Sequence, residues 1–235
     1  MTSTNEPLWL FDLDGTIIDV NSFPLWVSAM LTSRVSVSLR AAAALAARKV
    51  LRQSHIDFKR RLQRLWAEAA PTGAADRALG ALLERLMSHV RPSLETLLDD
   101  VRHERVDAVL TTAAAAEYAL PLARQLGFRH AIATPPGGKT DAPDNVGQAK
   151  RDRTLAYLTA QGWAARPRIL FTDHLDDLPL IRECQSLLWF GTPADYGMLR
   201  GELPGLETIA ARELAADETY GWVETRTRRQ GAACT

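Results

Sequence analysis

Residues 8–19 read Leu8-Trp9-Leu10-Phe11-Asp12-Leu13-Asp14-Gly15-Thr16-Ile17-Ile18-Asp19. The first four are apolar, and a run of this kind fits a buried strand of a parallel sheet, which is covered on both faces. The run ends in Asp12 and Asp14, followed at once by Gly15. Ligands of open α/β sheets bind at the carboxyl ends of the strands, which is where these two acids fall. Carboxylates placed together there repel each other. A hard divalent cation with oxygen ligands, typically Mg2+, compensates them. A plain strand-to-turn junction is the alternative, because Asp and Gly favour turns for purely local reasons.

The chain has 235 residues, a formal net charge of zero and 46% hydrophobic residues. That suits one large globular domain, or one domain carrying an insertion. Cys184 and Cys234 make neither a disulfide framework nor a metal-ligand spacing, which points to a reducing cytoplasm. Met1 to Pro7 lacks the basic-then-apolar pattern of a signal sequence. The longest uncharged stretch, Val20 to Ser33, is too short and too broken to span a bilayer.

Beyond the first strand, Asn21 to Val90 is rich in Ala, Leu and Arg and has the composition of helices. Ser22 with Pro24 opens the first of them, Ser54 is placed to cap another before His55, and Pro71-Thr72-Gly73 marks a break. From Arg91 onward strands alternate with helices. Strands are expected at Val106–Thr111, Arg129–Thr134, Arg168–Thr172 and Ser186–Phe190, and helices at Ser93–Glu104, Ala114–Leu126, Gln148–Ala160 and from Asp177. Gly127 has the position of a helix C-cap. Glu224 to Thr235, polar and Arg-rich, is expected to be disordered. The fold class is therefore α/β: a Rossmann-like, three-layer parallel sheet with an all-helical cap inserted after the first strand. Residues 1–20 and 91–235 form the core and residues 21–90 the cap.

Three more features fall at strand ends. Thr111 and Thr112 close the second strand. Lys150, one of four lysines in the chain, begins the helix after the Pro- and Gly-rich segment 135–147. Asp173, Asp176 and Asp177 follow the fourth strand. A parallel sheet brings these positions to one edge. The pooled groups suit phosphoryl transfer: one carboxylate as nucleophile, a second as general acid and base, a Mg2+ site, and a Lys and a Thr hydroxyl for the phosphoryl oxygens. Phosphate-monoester hydrolysis demands rate gains approaching ~10^21, which must come from positioning and electrostatics.

The set resembles the haloacid dehalogenase superfamily of phosphohydrolases. Asp12-Leu13-Asp14-Gly15-Thr16 is similar to the first motif of that family. Thr112, with Thr111 one residue away, is similar to the second, Lys150 to the third, and Thr172-Asp173-His174-Leu175-Asp176-Asp177 to the fourth. The resemblance implies that Asp12 is the nucleophile and Asp14 the general acid/base. It implies Mg2+ ligation by Asp12, the main-chain carbonyl of Asp14 and Asp173, with Asp177 supporting the metal's waters. Gly15, Thr16, Thr112 (or Thr111) and Lys150 would then hold the phosphoryl group. In the fourth motif Thr172 replaces a Gly and His174 a small residue; the larger His174 side chain either crowds the phosphate pocket, contacts the leaving group and so bears on selectivity, or is held by local hydrogen bonds. Because dehalogenase members lack the second acid, Asp14 favours phosphate release over dehalogenation. The helical insertion resembles the cap of phosphoserine-phosphatase-like members, and the expected substrate is a small phosphate ester.

Substrate choice belongs to the cap. Asn21 stands where phosphoserine phosphatases carry an acid, so phosphoserine is disfavoured. From Arg34 to Arg64 the chain carries nine basic residues and a single acid, Asp57. This stretch is a solvated helix face, an anion-binding surface in which Lys59, Arg60 or Arg61 meets the leaving group, or a peripheral contact with anionic lipid. The neutral chain has no nucleic-acid recognition motif, and none is expected as a partner. Two rivals stand beside a phosphatase: a phosphoryl-accepting signalling domain, and a non-catalytic binding protein that keeps the fold.

Overall fold

The computed structural model describes residues 6–33, 55–69, 74–136 and 143–232. Six parallel strands form one sheet in the order β3-β2-β1-β4-β5-β6. They are β1 (Leu8–Phe11), β2 (Ala108–Ala115), β3 (His130–Thr134), β4 (Arg168–Thr172), β5 (Ser186–Trp189) and β6 (Glu207–Ala210). Among the described residues, four helices lie between β1 and β2: α1 (Ser22–Ser33), α2 (His55–Ala69), α3 (Ala74–Met87) and α4 (Glu95–Arg102). Five more follow: α5 (Ala116–Leu126), α6 (Gly147–Ala160), the single turn α7 (Leu178–Ile181), α8 (Pro193–Glu202) and α9 (Ala216–Ala232).

β1 shows why its apolar run is unbroken. Trp9 and Phe11 face one core, shared with the inserted helices, while Leu8 and Leu10 face the other. Side chains alternate across a strand, so a strand covered on both faces needs every position apolar. β4 divides in the same way, with Ile169 and Phe171 on the first side and Leu170 on the second. Phe11 pairs in register with Phe171, and their rings stack at 4.0 Å. The strand order reverses between β1 and β4. That switch point is where a crevice opens at the carboxyl ends of an α/β sheet.

Several details depart from expectation. β2 runs on through Ala115, and its register against β3 shifts between Thr111 and Ala115. β6 has a half-exposed pattern on a sheet edge, which left little hydrophobic signal for it. The tail expected to be disordered from Glu224 is helical as far as Ala232. Its polar composition conceals specific anchors. Val223 is fully buried, Trp9 Nε1 donates to Thr227 Oγ1, Gln230 Nε2 donates to Ser186 Oγ, and Arg226 lies over the Trp222 ring. Most of the basic run (Arg34, Arg40, Arg48, Lys49 and Arg52), the cap at Ser54 and the break at Pro71–Gly73 lie outside the described residues. No helix among the described residues is long and apolar enough to cross a membrane.

Candidate active site

Asp12 continues the β1–β4 ladder by donating its N–H to Phe171 O at 2.9 Å, which sets its carboxyl at the switch point. The turn that follows is anchored from below by Leu13, Ile17 and Ile18, all fully buried. Arg91 clamps the turn from the side, donating Nη2 to Gly15 O at 2.8 Å and Nε to Thr16 O at 2.9 Å. Gly15 has φ +70, and a Cβ there would stand 1.9 Å from Asp173 Oδ2. The missing side chain lets the β4 carboxylate lie against the β1 turn. Gly15→Ala combines left-handed backbone strain of roughly 1–2 kcal/mol with expulsion of Asp173. It is expected to lower the melting temperature by several degrees, and an unchanged melt would show that the turn yields freely.

Lys150, in the first turn of α6, is 2% exposed and joins the two sides of the crevice. Its ammonium donates to Asp12 Oδ1 at 2.9 Å and to Asp177 Oδ2 at 2.7 Å. Thr172 Oγ1 donates to the same Asp177 oxygen at 2.5 Å. Burial pulls the Lys150 ammonium down, but Asp12 and Asp177 outweigh it and hold the group charged. Burial pushes the Asp12 carboxyl up to about 7; Lys150 opposes the rise, and the charges of Asp177 and Asp173 add to it. Burial also raises Asp14 to about 6, against two hydrogen bonds from Ser22, with Asp173 adding to the rise. Asp173 is raised by its own burial and by Asp177. The carboxylates therefore feel one another, and one buried lysine does not neutralise them.

A hard cation suits this surplus of carboxylate oxygen. Among the described residues no three His, Cys, Asp or Glu side chains cluster as a metal site. The set suggested by the motifs is compatible with that, since it has two side-chain carboxylates, Asp12 and Asp173, and a main-chain carbonyl as its third protein ligand.

The two threonines separate. Thr111 Oγ1 sits 2.9 Å from Thr154 Oγ1 on α6 and accepts from Asn145 Nδ2 at 3.4 Å. It is committed to packing β2 against α6. Thr112 Oγ1 accepts the Ala114 N–H at 3.1 Å, and Asn145 Nδ2 braces Thr112 O at 3.0 Å. Thr16 Oγ1 is buried with no partner, an acceptor and donor left over in the same turn.

The residues considered for selectivity also divide. Lys59 on α2 is buried against the core, where Nζ donates to Ala113 O at 2.6 Å and to Asp144 Oδ2 at 2.8 Å. It is close enough to Asp14 to draw that carboxyl down. Arg61 is half-buried on the same helix. Asn21 is exposed, and its Oδ1 accepts the Phe23 N–H at 2.9 Å, a local turn at the start of α1. His174, with a side chain 66% exposed, accepts the Asp176 N–H on Nδ1 and caps the short turn Leu175–Asp177. Sequence reasoning missed the Arg91 clamp and the Thr172 bond. Arg91-Pro92-Ser93 registered only as punctuation, and Thr172 only as a bulky replacement.

No curated protein matches the sequence. Among solved structures, a protein of unknown function from Bordetella pertussis Tohama I superposes with a TM-score of 0.64 at 18% identity, covering 88% of this chain and 99% of that one. A probable phosphoserine phosphatase from Vibrio cholerae gives 0.56 at 13% identity, covering 94% of this chain and 69% of that one. A substrate-bound phosphoserine phosphatase gives 0.55 at 10% identity, covering 92% and 98%. At these identities the likeness is one of fold. The model of the haloacid dehalogenase-like hydrolases, however, matches residues 9–182, from the first strand to just past the carboxylates that follow the fourth. This chain belongs to the haloacid dehalogenase-like hydrolases.

Proposed function

We propose that the chain is a Mg2+-dependent phosphomonoester hydrolase that works through an aspartyl-phosphate on Asp12. The observation that carries this reading is the buried Lys150 ammonium bridging Asp12 and Asp177 at the switch point. Asp12 attacks phosphorus and the ester oxygen departs, taking a proton from Asp14. Asp14 then accepts a proton from the water that attacks the acyl-phosphate, which frees inorganic phosphate and restores both carboxyl groups. A carboxyl raised to about 6 suits that double duty near neutral pH. Lys150 and Thr112 hold phosphoryl oxygens. Asp12, the Asp14 carbonyl and Asp173 would hold Mg2+, with Asp177 supporting its waters. When bound, the ion supplies positive charge to the phosphoryl oxygens.

Residues 21–90 act as the cap over this site, with Arg61 as its anionic-substrate contact, since the Lys59 ammonium is spent on Ala113 O, Thr134 Oγ1 and Asp144 Oδ2. The substrate is a small phosphorylated metabolite or a lipid phosphate. Asn21, occupied in its local turn, leaves phosphoserine without an amine partner at that position. The compartment is the cytoplasm, where the buried Cys184 thiol, pushed up to about 12, stays unreactive.

The purified protein with Mg2+ is expected to turn over p-nitrophenyl phosphate many times per chain. EDTA is expected to silence it and added Mg2+ to restore it; a rate untouched by thorough chelation would remove the metal from the reading. A single burst of phosphorylation without turnover would make it a phosphoryl-accepting domain. Silence across a metabolite panel that includes lysophospholipids and phosphatidylglycerophosphate would make it a binding protein. Thr112→Val is expected to lower kcat/KM about 100-fold, the loss of one phosphoryl contact. Thr111→Val should leave kcat/KM nearly unchanged while costing about 1 kcal/mol of stability. The reverse pattern would exchange their roles.

A further inference from the structure

Asp14 is held by a buried chain of hydroxyl groups that no motif contains. Ser22, at the start of α1, donates its N–H to Asp14 Oδ1 at 3.1 Å and its Oγ to Asp14 Oδ2 at 3.0 Å. Ser22 Oγ lies 2.7 Å from Tyr118 Oη on α5. Ser22 is 0% exposed and Tyr118 1% exposed. A hydroxyl has one proton, and an ionised carboxylate only accepts. The Ser22 proton therefore goes to Asp14, and Tyr118 donates to Ser22. The Tyr118 ring packs against Trp26 with centroids 5.4 Å apart, which fixes the far end of the chain.

We infer that Ser22 and Tyr118 are positioning residues for Asp14, locking both carboxylate oxygens so that its proton meets the leaving oxygen. Rotation of the carboxyl breaks two hydrogen bonds at once. The inference rests on the phosphatase reading. Ser22 also has a structural use, since its N–H, which has no acceptor within the helix it opens, is satisfied by Asp14 Oδ1. The test must separate the two uses.

Leaving-group dependence does so. Phenyl and p-nitrophenyl phosphate are nearly the same size, but phenoxide is the more basic leaving group and depends more on protonation. Ser22→Ala is expected to lower kcat/KM for phenyl phosphate about tenfold more than for p-nitrophenyl phosphate, part of the ~10^2–10^4 range of general acid catalysis. Tyr118→Phe, which keeps the ring, is expected to shift the ratio in the same direction by about threefold. In an Asp14→Asn background, Ser22→Ala should add nothing to the loss, because the pair acts through Asp14. If Ser22→Ala does not fold, Tyr118→Phe decides. Equal losses for both esters, or additive losses in the Asp14→Asn background, overturn the inference while leaving the phosphatase reading intact. A wild type inactive on both esters overturns the two together.

Discussion

Asp12→Asn is expected to abolish phosphatase turnover, with kcat falling by at least ~10^4, while the protein melts at the same temperature or higher. The two halves of this result have separate causes. The amide keeps the volume and hydrogen-bonding shape of the side chain but offers no anionic oxygen to phosphorus. No neighbour replaces it: Asp177 is engaged by Lys150 and Thr172, and Asp173 lies against Gly15. Stability moves the other way because the Asp12 charge is costly in the free protein. Burial and the charges of Asp177 and Asp173 push its carboxyl up to about 7. A carboxyl raised above its unfolded value of 3.8 weakens the fold as pH rises through that interval, as the buried group ionises. Asparagine removes that penalty, and Lys150 keeps its bond to Asp177. The gain in melting temperature should therefore be larger at pH 8 than at pH 5. Turnover within tenfold of the wild type would remove Asp12 as the nucleophile. A collapsed melt would show instead that the Lys150–Asp12 pair is needed for folding.

The first strand was legible because two kinds of signal coincide there. The unbroken apolar run of β1 follows from burial on both faces, and acids at the end of such a run have no packing role. Lys150 and Asp173 were legible by position relative to strands. Ser22 and Tyr118 were not: they are 96 residues apart, and a serine opening a helix looks like an ordinary cap. Thr111 and Thr112 could not be separated in one dimension, because the shift in register after Thr111 decides which hydroxyl turns to α6. The tail was misjudged for a related reason. Its stability comes from a few long-range anchors, such as Trp9 to Thr227, rather than from an apolar stripe.

Lys150→Met is the second large effect, and it separates electrostatic support from chemistry. Methionine fills most of the lysine's volume, so any loss is one of charge and hydrogen bonds. Removing the cation leaves the Asp12 and Asp177 carboxylates facing each other at 8% and 3% exposure, with Thr172 as the remaining donor to Asp177. Breaking a buried ion pair from one side costs about 3–5 kcal/mol, which here includes added repulsion between the acids. The Asp12 carboxyl, already raised to about 7 with the lysine present, rises further without it. Below that value it takes up a proton and the repulsion fades. The stability deficit against wild type is therefore greatest at pH 8 and shrinks towards pH 5, measured by denaturant unfolding at each pH. On the proposed role of Lys150 in holding phosphoryl oxygens beside Asp12, activity should fall about 10^2–10^4-fold even where the variant is fully folded. Lys150→Arg tests geometry: its guanidinium keeps the charge, so it should recover most of the stability but little of the rate. A deficit that does not change with pH would mean that the lysine supports the fold through packing, and the crevice would then owe its order to the strands alone.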